Sequence, residues 1–541
     1  MRLTGGQVAV QTLVDSGVRD VFGIPGVHTL HIYDAFIGRQ DITHYIVRHE
    51  QGAGFMADGY ARASGRPGVA LVITGPGVLN ALTPVAEAFA DSSSVLLLSS
   101  QVDMRLADRE RGTLHELTDQ LATSRPVTQW NRRLNTLPEI KRGIQEAMGY
   151  FAARRPRPIH LEIPTDVQAA TADAADLGAN LPPLPALRPD PAKVQALADR
   201  VAQAQNPVIF AGGGTQHAGE LGLIAALAEK LGAPVMFTSN AKGCLPDDHP
   251  LCLGSHIQEK GVQDWLRESD LILAIGTHFS SMNTVNWTAP FPAASLVHID
   301  LDAAEIGKNY PVSLGIVADA VETINDLFKA LPDGFAQSDR AAKAADRVKS
   351  IRAEALARAL AGQGWGSMTW EHPYLQAIRT ALGRDGILSC DMTVPTYGAT
   401  RHFPVYVPRT FLFPRVLGTL GFGLPAAIGA KVARPDRRVV AIAGDGGFGY
   451  TCQELSVAVQ YKISLPLVLV NSSSYGVVKR NQMSQFKRSF AVDLVNPDYL
   501  KMAEAFGARA AKAGSPEDLA RDLDKAFAAG GPTVIEITRP Y

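Results

Sequence analysis

The sequence predicts an α/β protein built from three doubly wound parallel-sheet domains. Three observations carry that expectation. Apolar runs at 439–443 and 467–470 flank a helical pattern from Gln453 to Lys462, which makes a βαβ unit with strands buried on both faces. The same strand–helix rhythm recurs in the first and middle thirds. Two stretches interrupt it, the proline-rich 182–191 and the polar, alanine-rich 333–361, so the expected domains are 1–175, 190–330 and 362–541. A chain of 541 residues has the length of about three ordinary domains.

Composition narrows the functional classes. The 46% hydrophobic content is ample for large cores, and a formal charge of −1 leaves no electrostatic footprint for nucleic acid or an anionic membrane. Cys244, Cys252, Cys390 and Cys452 lack metal-ligand or redox spacing and sit in apolar surroundings, as free thiols in a reducing cytosol do. The amino terminus runs into an amphipathic pattern without a signal peptide, and no apolar run approaches the roughly 20 residues of a membrane span. The expectation is a soluble, cytoplasmic protein acting on a small molecule.

In the first third, Thr4–Ser16 has helical spacing and Val21–Gly26 reads as a short strand ending in a turn at Pro25-Gly26, with His28 after it. The strand Tyr45–Val47 leads into a helix, which places Glu50 at a strand-to-helix junction. A carboxylate there is favoured by the helix dipole alone, by about 0.3–1 kcal/mol. The run Ala70–Thr74 precedes Gly75-Pro76-Gly77 and Asn80. A polar loop at 113–120 carries His115 and Glu116, a pair that by itself usually reads as solvated surface. Pro158–Pro164 is an alternating strand.

The middle third shows strands at 207–210, 234–237, 271–275 and 296–300. Its glycine cluster, Gly212-Gly213-Gly214, suits a tight turn as well as a nucleotide. In the last third, 386–391 is a strand followed by a turn with Thr393 and Val394, and 417–425 opens a helix. The strand 439–443 ends in Gly444-Asp445-Gly446-Gly447, and 467–470 ends in Asn471-Ser472-Ser473-Ser474-Tyr475-Gly476. A lone carboxylate among glycines, beside a helix amino terminus and at the carboxyl ends of parallel strands, suits a hard divalent cation that itself holds a phosphate group.

Two stretches carry a resemblance. The Gly-Asp-Gly at 444–446 with the Asn-containing strand end at 471 resembles the cofactor motif of the thiamine diphosphate (ThDP) enzymes. RHEQGAGFMADGYARASG at 48–65, with Gly75-Pro76-Gly77 and Asn80, resembles the aminopyrimidine-binding domain of their acetolactate synthase branch. The resemblance implies ThDP held through Mg2+, with Asp445, Ser472 and the Ser474 carbonyl as metal ligands. Asn471-Ser472 stands where the family has Asn-Asn. It further implies that Glu50 hydrogen-bonds ring nitrogen N1′ from an apolar wall that raises its pKa, with Ala53, Phe55 and Met56 as neighbours.

By the same resemblance, Pro25, Gly26, Gly75, Asn80, Thr393, Val394, Gly418, Leu420, Gly444, Gly446, Gly447, Tyr475 and Gly476 line the cofactor. Leu420 wedges between its two rings, although taken alone it reads as an ordinary core leucine. His28, His115 and Glu116 stand near polar active-site groups. The implied chemistry is attack of a ylid on a 2-oxo acid, loss of CO2 and an enamine that ends as an aldehyde or a carboligation product.

FAD as a structural passenger of the middle domain stays open, as does a homodimer or homotetramer with the site at the dimer interface. Val477–Gln482 and Lys487-Arg488 suggest a lid. Its Val478, Lys479 and Arg480, without a glutamate or tryptophan, point to a longer or anionic substrate, or to a solvated face. Three readings therefore stand: a decarboxylase or carboligase of altered specificity, an authentic acetolactate synthase, and a non-catalytic ThDP- or nucleotide-binding scaffold.

Overall fold

The computed structural model describes residues 2–364 and 366–539. The chain divides into two compact units: residues 1–184, 387–393 and 417–541 form the first, and 185–386 with 394–416 the second. The first unit carries two parallel sheets and the second carries one.

The amino-terminal sheet contains β1 (Asp20–Gly23), β2 (Thr43–Ile46), β3 (Gly68–Val72), β4 (Val95–Gln101), β5 (Trp130–Arg133) and β6 (Ile159–Pro164) in the order β2-β1-β3-β4-β6-β5, every pair parallel. The alternation in β6 does not mark a solvent face. All six residues are buried, and the polar ones turn into a network instead. His160 lies 2.8 Å from both Ser99 and Ser124, and Glu162 accepts from Gln120 and Arg133. Burial alone pushes the His160 imidazole down to about 3, so it serves the core as a neutral ring.

The second unit holds β7 (Pro207–Ala211), β8 (Val235–Phe237), β9 (Cys252–Gly254), β10 (Leu271–Ile275), β11 (Leu296–Asp300) and β12 (Leu314–Val317), ordered β9-β8-β7-β10-β11-β12. That is the doubly wound order of dinucleotide-binding folds. Its glycine cluster is explained by packing: a Cβ on Gly212 would run into the Gly276 carbonyl oxygen, and one on Gly214 would lie 2.9 Å from the Gly276 Cα.

The carboxy-terminal sheet brings β13 (Ile387–Cys390), β14 (Val439–Gly444), β15 (Pro466–Asn471), β16 (Arg509–Lys512) and β17 (Thr533–Thr538) together in the order β13-β14-β15-β17-β16, all parallel. Two sequence expectations shift here. Val394 opens a helix, Val394–His402, rather than extending a turn. Helix α4 (Asp445–Thr451) begins directly at the end of β14, ahead of the helical pattern read from Gln453.

Within the first unit, α1 (Glu50–Ser64) packs on α2 (Pro76–Ala90) and on α3 (Gly423–Ala433). Small residues set these distances. A Cβ on Gly59 would run into the Ala426 backbone, one on Gly429 into Met56, and one on Gly54 into Pro84. Phe55 meets Phe422 edge-on at 5.7 Å beside this crossing. The first turn of α1 is thereby fixed, with the His49 side chain accepting from the Gln51 N–H at 3.1 Å. Among the described residues no helix is long and apolar enough to cross a membrane, and the four cysteines are free thiols.

Candidate functional site

The carboxyl ends of β14 and β15 deliver Asp445 and Ser472 side by side, both buried. Asp445 Oδ2 accepts three N–H groups, from Ser472 N at 3.2 Å, Ser474 N at 3.3 Å and Asn496 Nδ2 at 2.8 Å. That oxygen is fully engaged. Oδ1 faces the Ser472 hydroxyl at 3.3 Å, and the same hydroxyl donates to the Ser474 carbonyl at 3.0 Å. The hydroxyl hydrogen thus lies among three oxygens. Neighbouring ligands around a Mg2+-sized ion at 2.0–2.1 Å are about 2.9 Å apart, close to these separations. The donor set fits a hard cation: one carboxylate, one hydroxyl and one backbone carbonyl. Among the described residues no group of three His, Cys, Asp or Glu side chains offers an alternative.

The glycines around Asp445 are required by protein neighbours as much as by any ligand. A Cβ on Gly444 would sit 2.8 Å from Thr393 Oγ1, one on Gly446 2.7 Å from the Tyr475 ring, and one on Gly447 2.7 Å from Asp391 Oδ1. The last stretch of β15 leads through Ser474 to α5 (Gly476–Phe486), which has no buried residues. That segment is tied back at its base by Tyr475 N to Val492 O and Leu494 N to Ser473 O, both 2.8 Å. Lys479 pairs with Asp493 at 2.6 Å, so its charge is already answered within the segment.

The second set of groups lies around α1 and α2. Glu50 is half-buried, not enclosed. Its Oε2 accepts from Asn80 Nδ2 at 3.0 Å, and Gly77 leaves the space above Oε1 open. The expected wall residues Ala53, Phe55 and Met56 are instead fully buried. His28 and His115 meet edge-on with ring centroids 5.3 Å apart, and His28 Nδ1 is buried without a hydrogen-bond partner. Burial, then the neighbouring His115, lowers the His28 pKa. Gly75 at φ +67° lets the His115 carbonyl come close, and its N–H donates to Gln120 at 2.8 Å. Pro25 is exposed and the Gly26 N–H donates to Thr29 Oγ1 at 2.9 Å.

Glu116 is occupied otherwise: its Oε2 accepts from the N–H groups of Arg111 at 3.1 Å and Thr113 at 3.0 Å. The Thr113 bond holds its carboxyl below the usual value. It shapes the loop that presents His115.

Leu420 sits between Gly418 (φ +72°) and Gly421 (φ +86°) and is half-buried, unlike a core leucine. Both of its neighbours are held by buried acids. Glu87 accepts from Thr419 N and Oγ1 at 3.1 and 3.2 Å, and Asp391 accepts from the N–H groups of Gly421 and Gly423. Burial pushes Asp391 up to about 6. A third acid, Glu454, accepts from the Arg48 N–H and fills the space beside Gly52, linking the start of α1 to the segment after α4; burial pushes it up to about 7. None of Asn496, Asp391, Glu87 or Glu454 was singled out by sequence reasoning. Glu87 carried a readable signal, since it lies two helical turns beyond Asn80 on an otherwise apolar helix.

Comparison with known proteins decides what the two sets belong to. Residues 3–123 match the thiamine pyrophosphate enzyme N-terminal TPP binding domain, 194–327 the central domain and 391–537 the C-terminal TPP binding domain. The probable 2-ketoarginine decarboxylase of Pseudomonas aeruginosa is 38% identical over 99% of this chain and 94% of its own length. The chain belongs to the thiamine pyrophosphate enzyme family. It is also 33% identical to the probable acetolactate synthase large subunit of Methanocaldococcus jannaschii and 32% identical to the acetolactate synthase large subunit of Lactococcus lactis, over 99% of this chain and 92% of each relative. The first TPP binding domain carries His28, Glu50, Asn80 and His115, and the second carries Asp391, Leu420, Asp445, Ser472, Ser474 and Asn496.

Proposed function

We propose that the chain is a ThDP- and Mg2+-dependent decarboxylase of a 2-oxo acid whose side chain is longer than that of pyruvate. The observation that carries it is the Asp445 centre, where one carboxylate oxygen is saturated by three N–H donors and the other opens onto a hydroxyl and a carbonyl. Asp445 Oδ1, Ser472 Oγ and the Ser474 carbonyl would hold Mg2+ together with the diphosphate. Bound ThDP supplies a nucleophilic carbon and an electron sink for decarboxylation.

The chain's own residues do the rest. Glu50, oriented by Asn80, hydrogen-bonds the pyrimidine ring nitrogen. Leu420, half-buried between Gly418 and Gly421, would pack against the cofactor. Of the two histidines, His28 is the neutral acceptor and His115 the partner that exchanges protons with the product. Glu50 of one protomer and Asp445 of its partner complete each site across a homodimer; exposed Leu30, Leu114, Leu417 and Val478 in these segments supply apolar contact surface.

The substrate follows from the lid segment and the relatives. Lys479 is paired with Asp493, which removes its support for an anionic side chain, and Val478 is half-exposed and apolar. The most identical of the three relatives above is named for 2-ketoarginine. The test is CO2 release and product identity with ThDP, Mg2+ and a panel holding 2-ketoarginine, branched 2-oxo acids and pyruvate. Preference for a long 2-oxo acid with aldehyde product is expected. Preference for pyruvate with acetolactate as product would establish the second reading, which the two acetolactate synthase relatives favour. Cofactor binding with no turnover would establish the scaffold.

FAD has no part in this chemistry. The tight packing of Gly212 and Gly214 against the Gly276 backbone accounts for these glycines without a dinucleotide. The purified protein is expected to lack flavin absorbance.

A further inference from the structure

The geometry points to Glu87 as a positioning residue that sets the height of Leu420 through Thr419, and this rests on the ThDP reading above. Glu87 lies on α2 and is fully buried. Its Oε2 receives both the N–H and the hydroxyl of Thr419, the residue immediately before Leu420. Asp391 holds Gly421, the residue immediately after. Leu420 is therefore suspended between two buried acids from different elements. The positive φ of Gly418 and Gly421 lets the turn follow whatever those anchors dictate.

The surroundings of Glu87 define its protonation state. Arg62 lies one helix away and is committed elsewhere, with Asp58 at 2.8 Å and Asp91 at 3.0 Å. Two carboxylates already face that single guanidinium. Glu87 and Asp91 are four residues apart on the same face of the chain, and burial followed by the Asp91 charge pushes Glu87 up to about 8. At neutral pH Glu87 is thus a neutral acid that accepts from Thr419 with one oxygen. Above that value it ionises beside the Asp91 carboxylate, with the Arg62 guanidinium opposing that repulsion, and the anchor of Thr419 shifts.

The same helix carries Asn80, which orients Glu50. α2 is accordingly a strut with a Glu50 contact near its start and a Thr419 contact near its end. A glutamine at 87 reproduces the neutral acid, since its carbonyl accepts from Thr419 while its NH2 faces Asp91. That makes the glutamine variant a rescue rather than a lesion.

The test reads the rate at which the C2 proton of bound ThDP exchanges with deuterium in the holoenzyme with Mg2+ and without substrate, alongside the ThDP dissociation constant. Thr419→Val, which keeps the N–H and removes the hydroxyl, is expected to slow exchange by about threefold to tenfold. Glu87→Ala is expected to slow it by more than tenfold while ThDP affinity stays within about threefold. Glu87→Gln is expected to match the unmodified enzyme at pH 7 and to stay flat from pH 8 to 9.5, where the unmodified enzyme declines. Equal exchange rates in the unmodified, Thr419→Val and Glu87→Gln proteins across that range would overturn the inference alone. An unmodified protein that binds no ThDP would overturn the functional reading and this inference with it.

Discussion

Replacing Asp445 by asparagine separates the two jobs of its carboxylate, and the structure gives the size of the effect. The Oδ2 position accepts Ser472 N, Ser474 N and Asn496 Nδ2. An asparagine therefore places its carbonyl oxygen there and turns its NH2 toward the cation position, which repels a metal. Flipping the amide to offer oxygen to the metal would abandon all three bonds, at about 1 kcal/mol each. The resulting deficit of about 3 kcal/mol leaves the metal-competent orientation near 1% of molecules, a loss of about 100-fold in apparent affinity before the missing charge is counted. Titration of the purified variant with Mg2+ and ThDP by calorimetry, with Mn2+ as a spectroscopic substitute, reads this directly. Retention of affinity within about threefold, in a protein of unchanged melting temperature, would refute the assignment of Oδ1 as a ligand.

Other expected outcomes probe the frame around the site. Gly59→Val drives a side chain into the Ala426 backbone; a loss of about 1–3 kcal/mol or more is expected in thermal or chemical denaturation, while Gly449→Ala, whose Cβ meets nothing within 4 Å, is expected to be neutral. Glu454 holds a proton in the folded state up to about pH 7 that the unfolded chain releases near 4.5, so it draws stability down as pH rises through that interval, by on the order of 3 kcal/mol. Glu454→Gln should flatten that slope, and an unchanged pH–stability profile would contradict it. His28→Phe keeps the ring contact with His115 and removes the nitrogen, so kcat should fall by about 100-fold with ThDP affinity unchanged; steady-state kinetics with a binding measurement separates the two.

The fold class was legible because buried parallel strands leave an unambiguous mark. β7, β10 and β14 are buried along their whole length and read as continuous apolar runs. β9, with three residues, and β12, half-buried, leave too little pattern to be seen. β6 was found as an alternating strand; its polar positions, His160 and Glu162, bond inside the core.

At the site, Glu50 and Asp445 were readable because each stands at a strand-to-helix junction in a distinctive string. Their partners were not, since Asn496 reaches Asp445 from 51 residues away and Thr419 reaches Glu87 from 332. Contacts of that kind are set by how helices cross, and the crossing is fixed by glycines such as Gly59 and Gly429 that show no chemistry of their own. Glu116 illustrates the converse: a polar residue in a promising loop that turned out to bond its own backbone.

The most direct measurement is a crystal structure of the homodimer with ThDP and Mg2+ bound. The expected result is a metal within coordination distance of Asp445 Oδ1, Ser472 Oγ and the Ser474 carbonyl, with a Glu50 carboxylate hydrogen-bonded to the pyrimidine ring. A pyrimidine lying away from every Glu50, or a diphosphate bound without Asp445, would contradict the account at its centre.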